Sequence, residues 1–260
     1  MAGPIVTVFA AKGGSGTTTL ATNLAVVLRQ PGRQVCLVDL DFVFGDVANA
    51  LQLPTERTMA GAIGCRLSDQ LVDSLLTRFV PGLDCLLSPT GPGEAEQIDT
   101  VLVADILARI ANRYDAVVVD TAAVFSAQVL VALDLADHQV VVSTPEVPAL
   151  KMLRFTLDTL DLLAQPRKAR AVVFNRSDSK VMLTEADVDA LVRYPVAAHI
   201  PVSRDVATSI NRGRPLALTN PHHPVSEAVL AFAEAQLIYH HSARTSSATR
   251  PSGRRRQPPA

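Results

Sequence analysis

The chain has 260 residues, 48% of them hydrophobic, with a mean hydropathy of +0.23; this content suffices for one α/β domain and excludes disorder throughout. The formal net charge of -1 excludes a global field that would attract nucleic acid or anionic lipid. No apolar run approaches the roughly 18 residues that span a bilayer, and the N-terminus lacks the layout of a signal peptide, so we expect a cytoplasmic protein.

Short apolar runs alternate with longer helical patterns along the chain. The predicted strands are Ile5–Phe9, Val35–Asp39, Leu83–Leu87, Ala116–Asp120, Gln139–Ser143, Ala171–Asn175 and Val196–Ile200. Most are continuously apolar, as strands buried on both faces are. The predicted helices are Thr18–Arg29, Ser68–Phe79, Thr100–Arg113, Ser126–Ala136, Ala149–Leu163, Thr184–Leu191, Val206–Arg212 and Val225–His241. This alternation predicts an α/β fold with a mostly parallel sheet flanked by helices on both faces.

The composition changes near the C-terminus. From about Ser242 the sequence consists largely of Ser, Thr, Pro and Arg and includes the cluster Arg254–Arg256. Such a segment cannot bury apolar surface. We therefore predict one domain over residues 1–241 and a disordered basic tail over residues 242–260. A solvated tail is favoured over one that contacts DNA or anionic lipid, so nucleic acid is not an expected partner.

A glycine-rich loop follows the first predicted strand. It reads Ala10-Ala-Lys-Gly-Gly-Ser-Gly-Thr-Thr-Thr19 and leads into an apolar-periodic helix. Glycines let successive backbone N–H groups point into one concavity, and the helix N-terminus adds partial positive charge. The loop therefore suits a phosphate, although a structural turn is the simpler alternative.

Two phosphate-binding templates compete for this loop. In the dinucleotide fingerprint, Gly14, Gly16 and Thr19 take the glycine positions, and Asp39 stands where a ribose-binding acid is found. In the P-loop template, the first glycine is replaced, and Thr17 stands in place of the lysine. Neither template is met in full.

Acidic side chains close two of the predicted strands. Asp39 and Asp41 follow the second strand, and Asp120 ends the run Val117-Val-Val-Asp120. The carboxyl edge of a parallel sheet is where ligands of open α/β folds bind, and an acid there can hold Mg²⁺ through water. We therefore expect these acids to belong to the same site as the loop, although a single Asp after a strand is usually a loop cap.

Asn175 closes a later strand and is followed by Arg176. An amide side chain at a strand end can read the edge of adenine through its paired donor and acceptor groups. Asn opening a turn is the structural alternative.

The string Lys12-Gly-Gly-Ser-Gly-Thr-Thr-Thr19 resembles the KGGxGK[ST]T deviant Walker A loop of the ParA/MinD superfamily of P-loop NTPases. The early signature lysine is kept as Lys12, and Thr17 replaces the second lysine. The resemblance implies ATP and Mg²⁺ as cofactors, with Thr18 as a metal ligand and Lys12 reaching the nucleotide across a nucleotide-dependent homodimer. The implied nucleotide-binding residues of the loop are Lys12, Gly13, Gly14, Ser15, Gly16, Thr17, Thr18 and Thr19.

The same resemblance assigns roles to the acids and to the base end of the site. Lys12 and Asp41 become the catalytic residues, with Asp41 as the switch aspartate that positions the attacking water. Asp39 and Asp120 complete the Mg²⁺ site, largely through water. Asn175, Arg176 and Pro201 are implied at the base end. The superfamily often continues this strand with D-T/S-P-P/A-G, whereas here Asp120-Thr-Ala-Ala-Val-Phe125 lacks the proline and glycine, which implies reduced switching.

Further ordered blocks resemble the CpaE/TadZ-like branch of the superfamily, over roughly residues 4 to 232. They are Val38–Ala48, Thr144–Lys151, Asn175–Val181, Ile200–Val206, Asn211–Pro215 and His223–Ser226. Members of this branch are associated with Flp/Tad pilus assembly and polar positioning, and many carry altered Walker A loops. The branch also has a receiver-like domain before the ATPase-like domain. We expect that domain to be absent, because Met1 lies only a few residues before the first strand.

The resemblance implies an ATP-binding localisation and assembly factor for a Flp/Tad-type pilus or secretion system. Its expected partners are pilus or secretion proteins, which would recruit it to the pole or the inner face of the membrane. Hydrolysis is expected to be weak or absent, because Thr17 cannot neutralise charge on the phosphates. Two alternatives stay open: an active ParA/MinD-type ATPase for partition or septum-site placement, and an NAD(P)-dependent Rossmann oxidoreductase.

Overall fold

A computed structural model describes residues 2–177 and 183–238 of the chain. Its described residues form an eight-stranded sheet in the order β3-β4-β2-β5-β1-β6-β7-β8, and all neighbouring strands are parallel except β3 and β4. The strands are β1 (Ile5–Ala10), β2 (Val35–Leu40), β3 (Thr77–Val80), β4 (Leu83–Leu86), β5 (Ala116–Thr121), β6 (His138–Ser143), β7 (Arg170–Ser177) and β8 (Val196–Pro201). The predicted tail, 242–260, and part of the block Asn175–Val181 lie outside the described residues.

Helices cover both faces of this sheet. They are α1 (Thr17–Leu28), α2 (Asp46–Leu51), α3 (Asp69–Leu75), α4 (Pro92–Ala95), α5 (Thr100–Ala111), α6 (Ala127–Asp134), α7 (Val147–Leu162), α8 (Glu185–Val192), α9 (Arg204–Asn211), α10 (Leu216–Thr219) and α11 (Pro224–Ala233). The apolar core contains one cluster built on α1, α2 and α11. Two further clusters are built on α3 and α5 and on α6, α7 and α8. The predicted fold class is confirmed.

The central strands contribute side chains to both faces. In β1, Val8 packs in the cluster that contains α1, and its neighbour Phe9 packs in the cluster that contains α7. All six residues of β1 and all six of β5 are buried. Continuous apolar sequence is therefore the correct signature for these strands, because neither face meets water.

The predicted helix Ser68–Phe79 is wrong in its second half. Helix α3 ends at Leu75, and β3 then pairs antiparallel with β4. Arg78 of β3 donates from Nε to Asp84 Oδ1 of β4 at 2.8 Å. The turn between the two strands contains Gly82, whose φ of 84° is in the left-handed region. A Pro-Gly turn and a partner strand therefore override the apolar spacing that suggested a longer helix.

The other differences between the predicted and the observed elements concern short helices and the ends of the last helix. The short helices α2, α4 and α10 have no counterpart among the predicted elements. The predicted final helix begins one residue earlier, at Pro224, and continues after Ala233 as π-helix over Glu234–Ile238, while residues 239–241 lie outside the described part. Within the described ranges, no helix combines the length and the apolar content needed to cross a bilayer.

Strand order decides between the two phosphate-binding templates. In a dinucleotide-binding sheet, the second strand lies next to the first. Here β5 lies between β1 and β2, so Asp39 of β2 is the neighbour of Asp120 on β5. The Rossmann alternative is therefore wrong at the level of the fold.

Candidate nucleotide-binding site

The phosphate loop connects β1 to α1 and is shaped by two glycines in the left-handed region. Gly14 has φ 78° and Gly16 has φ 94°, and Gly16 is the N-cap residue of α1. Among the described residues, no side chain caps the N-terminus of α1. Its first N–H groups are therefore available to an anion, and the helix dipole favours negative charge at the same point.

Asn175, at the end of β7, supports this loop. Its Nδ2 donates to the Ser15 carbonyl oxygen at 2.9 Å, and its Oδ1 accepts from the backbone N–H of Arg176 at 2.9 Å. A Cβ on Gly16 would lie 2.2 Å from Asn175 Nδ2, so the contact needs glycine in the loop. Asn175 thus contacts the protein backbone at both ends of its amide, and its reading of adenine stays a prediction.

A cleft of about 510 Å³ opens above the loop. Its walls come from the loop and α1, from the segment after β2, from the segment after β5, and from the ends of β7 and α9. The predicted site residues that line it are Gly13, Gly14, Gly16, Thr17, Thr18, Thr19, Asp41 and Arg176.

The remaining predicted residues lie around the cleft. Ser15 is buried within the loop, and Lys12 is exposed and does not line the cleft. Asp39 and Asp120 are fully buried at the ends of β2 and β5. Pro201 pairs with Ser177 between β8 and β7 and does not line the cleft either. The structure therefore brings most of the predicted phosphate and metal residues to the cleft or directly next to it, whereas Lys12 and Pro201 do not line it.

Asp39 and Asp120 are register partners on adjacent strands, and both are 0% exposed. Asp39 accepts hydrogen bonds from the backbone N–H groups of Asp41 at 2.9 Å and Val47 at 3.2 Å, and from the Ser88 hydroxyl at 3.2 Å. Neither carboxylate oxygen of Asp120 has a hydrogen bond of normal geometry to a described residue. Asp39 therefore accepts three hydrogen bonds, whereas Asp120 accepts none of normal geometry from the described residues.

Burial shifts both groups in the same direction. It raises the pKa of Asp39 to about 7, although the N–H groups of Asp41 and Val47 lower it. The pKa of Asp120 is raised well above its usual range, mainly by burial and to a lesser extent by the charge of Asp39, while the Thr18 side chain lowers it. Two adjacent buried carboxylates cannot both ionise cheaply. The pair therefore favours either protonation of at least one carboxyl group or a bound cation.

The donor set at this point fits Mg²⁺. The Thr18 hydroxyl and the two carboxylates offer oxygen only, which is what a hard cation prefers, and Mg²⁺ usually keeps several waters and phosphate oxygens. No group of three or more His, Cys, Asp or Glu side chains that could hold a metal exists in the described ranges. A metal here would therefore depend on phosphate and water for the rest of its shell.

Some residues of the site have no counterpart in the sequence prediction. Asp46 and Asn49 of α2 line the cleft, and the Ser88 hydroxyl donates a hydrogen bond to Asp39. Ser88 follows β4 at the same sheet edge, which is a signal that sequence alone could have used. Beside the cleft, Phe44 is 75% exposed and Val43 68% exposed, so the segment after β2 carries an apolar rim.

Comparison with known proteins identifies the protein family to which the chain is similar. The model of the CobQ/CobB/MinD/ParA nucleotide binding domain matches residues 6–216. The septum site-determining protein MinD of Thermotoga maritima is 26% identical over 223 residues, which are 83% of this chain and 82% of that protein.

Solved structures share the fold. A ParA family ATPase from Chlorobium tepidum TLS has a TM-score of 0.84 at 24% identity, covering 90% of this chain and 99% of that one. MinD of Pyrococcus horikoshii OT3, solved with Mg-ADP, has a TM-score of 0.77 at 19% identity, covering 91% and 97%. At these identities the likeness establishes the fold.

Asp120→Asn removes a buried ionisable group and keeps the shape of the side chain. Burial raises the pKa of both Asp39 and Asp120, so the unfolded chain releases these protons at a lower pH than the folded protein does. The free energy of unfolding of the wild type should therefore fall as the pH rises above the ordinary carboxyl range, and the contribution of Asp39 to this fall should be complete near pH 7. Without ligand, the variant should melt at a higher temperature than the wild type at pH 8, by about 2–4 °C per kcal/mol gained. It should also lose most of the stabilisation given by Mg²⁺-ATP. Thermal unfolding at pH 5 and pH 8 measures both effects.

Asp84→Asn is the matched control. Asp84 is also buried, but Arg78 and the Tyr114 hydroxyl both bond to it at 2.8 Å. Its replacement should therefore lower the melting temperature. A lower melting temperature of Asp120→Asn at pH 8 without ligand would contradict the account of the buried pair.

Proposed function

The chain belongs to the CobQ/CobB/MinD/ParA nucleotide-binding domain family, and from this membership we propose that it is a Mg²⁺-ATP-binding localisation and assembly factor for a Flp/Tad-type pilus or secretion system. ATP binding, rather than rapid turnover, is the property that the factor uses. The observation that carries the proposal is Thr17 at the first residue of α1, in a loop that has glycines at positive φ and is followed by the Thr18 hydroxyl at the cleft.

Binding is supported by the parts of the site that do not depend on a lysine. The loop presents backbone N–H groups at an uncapped helix N-terminus, and these groups provide much of the hold on a phosphate. Thr18 lines the cleft, and Asp120 carries two buried oxygens without a hydrogen bond of normal geometry to a described residue. A metal and a phosphate would satisfy all of these groups together.

Slow hydrolysis is supported by the neutral side chain at position 17 of the loop, where related loops carry a lysine. Thr17 lines the cleft with a neutral hydroxyl, whereas a lysine at this position would neutralise charge that develops on the phosphates. Losing such a preorganised contact costs about 3–4 kcal/mol in the transition state. Asp41 also lines the cleft, but its Oδ1 accepts from the N–H groups of Val43 at 3.0 Å and Phe44 at 3.1 Å. The switch aspartate is thus engaged with its own loop.

A homodimer is supported by two features beside the cleft. The exposed Lys12 does not line the cleft, so its ammonium is free to enter the site of a second copy. Val43, Phe44 and Val124 are more than half exposed at the rim. Exposed apolar side chains that cluster around a site often mark a contact with another protein.

The pilus role follows from the resemblance to the CpaE/TadZ-like branch. The block Val38–Ala48 contributes Asp41, Val43, Phe44 and Asp46 to the wall of the cleft. A nucleotide bound there would contact the same segment that carries the exposed rim. Partner recruitment to the pole or to the inner face of the membrane would then depend on the nucleotide.

An active septum-site ATPase is the second candidate. It is favoured by the likeness to the MinD protein of Thermotoga maritima, which extends over 82% of that protein, and by the presence of both Asp41 and Asp120 in this chain.

Thr17→Lys separates binding from turnover. We expect the wild type to bind Mg²⁺-ATP and to release phosphate at least about tenfold more slowly than Thr17→Lys, because each 1.4 kcal/mol of transition-state stabilisation gives a factor of ten. A phosphate-release assay at saturating ATP measures this ratio. Thr208→Lys adds the same charge on the exposed surface of α9 and should leave the rate unchanged. Wild-type turnover equal to that of Thr17→Lys would favour the active ATPase.

Deleting the gene in its host tests the cellular role. The proposal predicts loss of surface pili or of the secreted substrate, with septa placed normally. Electron microscopy of the cell surface and cell-length measurements record both properties. Normal pili together with minicells would contradict the proposal and favour septum-site placement.

A further inference from the structure

The cleft above the phosphate loop is poor in positive charge. Asp41 and Asp46 line it, and the buried Asp39 and Asp120 lie beneath it. Of the described residues that line the cleft, Arg176 is the only Lys or Arg. A nucleotide polyphosphate carries several negative charges, so a site with this balance needs every cation that it can recruit.

Arg176 is held near the loop by its backbone. Its φ of 53° is in the left-handed region, which residues other than glycine adopt rarely and which persists where the surroundings fix it. The fixing contact is Asn175, which accepts from the Arg176 N–H and donates to the Ser15 carbonyl oxygen. One side chain therefore ties the backbone of Arg176 to the phosphate loop itself.

The Arg176 side chain also has no partner among the described residues. It is exposed, and within the described ranges it forms no ion pair and no side-chain hydrogen bond. Other arginines of the chain are paired, as Arg154 is with Asp158 and Arg167 with Asp161. A guanidinium that pairs with no described residue, at the wall of an anion site, is available to contact the anion.

We propose that Arg176 supplies to the β- and γ-phosphates of the nucleotide the positive charge that Thr17 leaves out. The inference rests on the proposed binding of ATP and assigns Arg176 to the phosphate end of the site rather than to the base. It shares the cleft with Gly13, Gly14 and Thr17, whereas Pro201 at the expected base end does not line the cleft. A planar guanidinium also suits two oxygens of a phosphate at once.

Arg176→Gln tests the assignment by calorimetric titration with three probes: Mg²⁺-ATP, Mg²⁺-tripolyphosphate and AMP. Neutralising the guanidinium should weaken ATP and tripolyphosphate roughly 10- to 100-fold, the range expected for a hydrogen-bonded charge. AMP should bind as it does to the wild type. Arg176→Gly, which suits a positive φ, should give the same result and guards against a folding defect in the first variant.

Arg193→Gln is the matched control. Arg193 is also exposed, has φ 52° at the C-terminus of α8, and does not line the cleft. Its neutralisation should leave the affinity for all three probes unchanged. Adding Thr17→Lys to Arg176→Gln should restore ATP affinity to within about threefold of the wild type, because a lysine in the loop provides the missing charge. A residue that only supports the fold would not be rescued in this way.

The outcomes separate the inference from the function on which it rests. If the wild type binds neither ATP nor tripolyphosphate, the proposed function is wrong. If the wild type binds both and Arg176→Gln binds them equally well, the inference alone is overturned. An equal loss for AMP, ATP and tripolyphosphate, or a loss for AMP and ATP with tripolyphosphate unchanged, would also overturn it, since Arg176 would then not serve the outer phosphates.

Discussion

Two carboxylates that are fully buried side by side impose the strongest constraint on this structure. Asp39 and Asp120 end the adjacent strands β2 and β5, and burial raises the pKa of both. The free energy of unfolding decreases when both carboxyl groups ionise without a cation nearby. Without a ligand, the pair destabilises the folded protein. A bound Mg²⁺ would offset this destabilisation by stabilising the two ionised carboxylates. Stability and ligand binding are thus opposed at this point, as is common at functional sites.

The remaining parts of the site follow from the sheet order that creates this pair. Because β5 lies between β1 and β2, Asp120 ends close to the phosphate loop and to Thr18 at the start of α1. The loop is in turn held by Asn175, from the other side of the sheet. The site therefore has its acids on one side and its loop support on the other, and Thr17 faces the cleft between them without a charge. On the proposed function, this division would allow turnover to be lost while binding is kept.

The sequence alone predicts those features of the fold and of the site that depend on a local residue pattern. The continuous apolar strands, the glycine loop and the acids at strand ends were all predicted, because a buried parallel strand and an anion-binding turn each have their own pattern. Prediction from the sequence fails where the structure depends on contacts between residues that are far apart in the chain. The bond from Ser88 to Asp39 spans 49 positions, and that from Asn175 to Ser15 spans 160. The strand β3 was predicted as helix, since only its pairing with β4 distinguishes the two.

The most direct test of the buried pair is a count of protons exchanged when preformed Mg²⁺-ATP binds. Titration calorimetry at pH 7 in two buffers of different ionisation enthalpy gives this number for the wild type and for Asp39→Asn. Because a cation favours the ionised carboxylates, the wild type should release protons on binding, and the variant should release fewer. Binding that releases no protons from the wild type, or that proceeds equally well without Mg²⁺, would contradict the account.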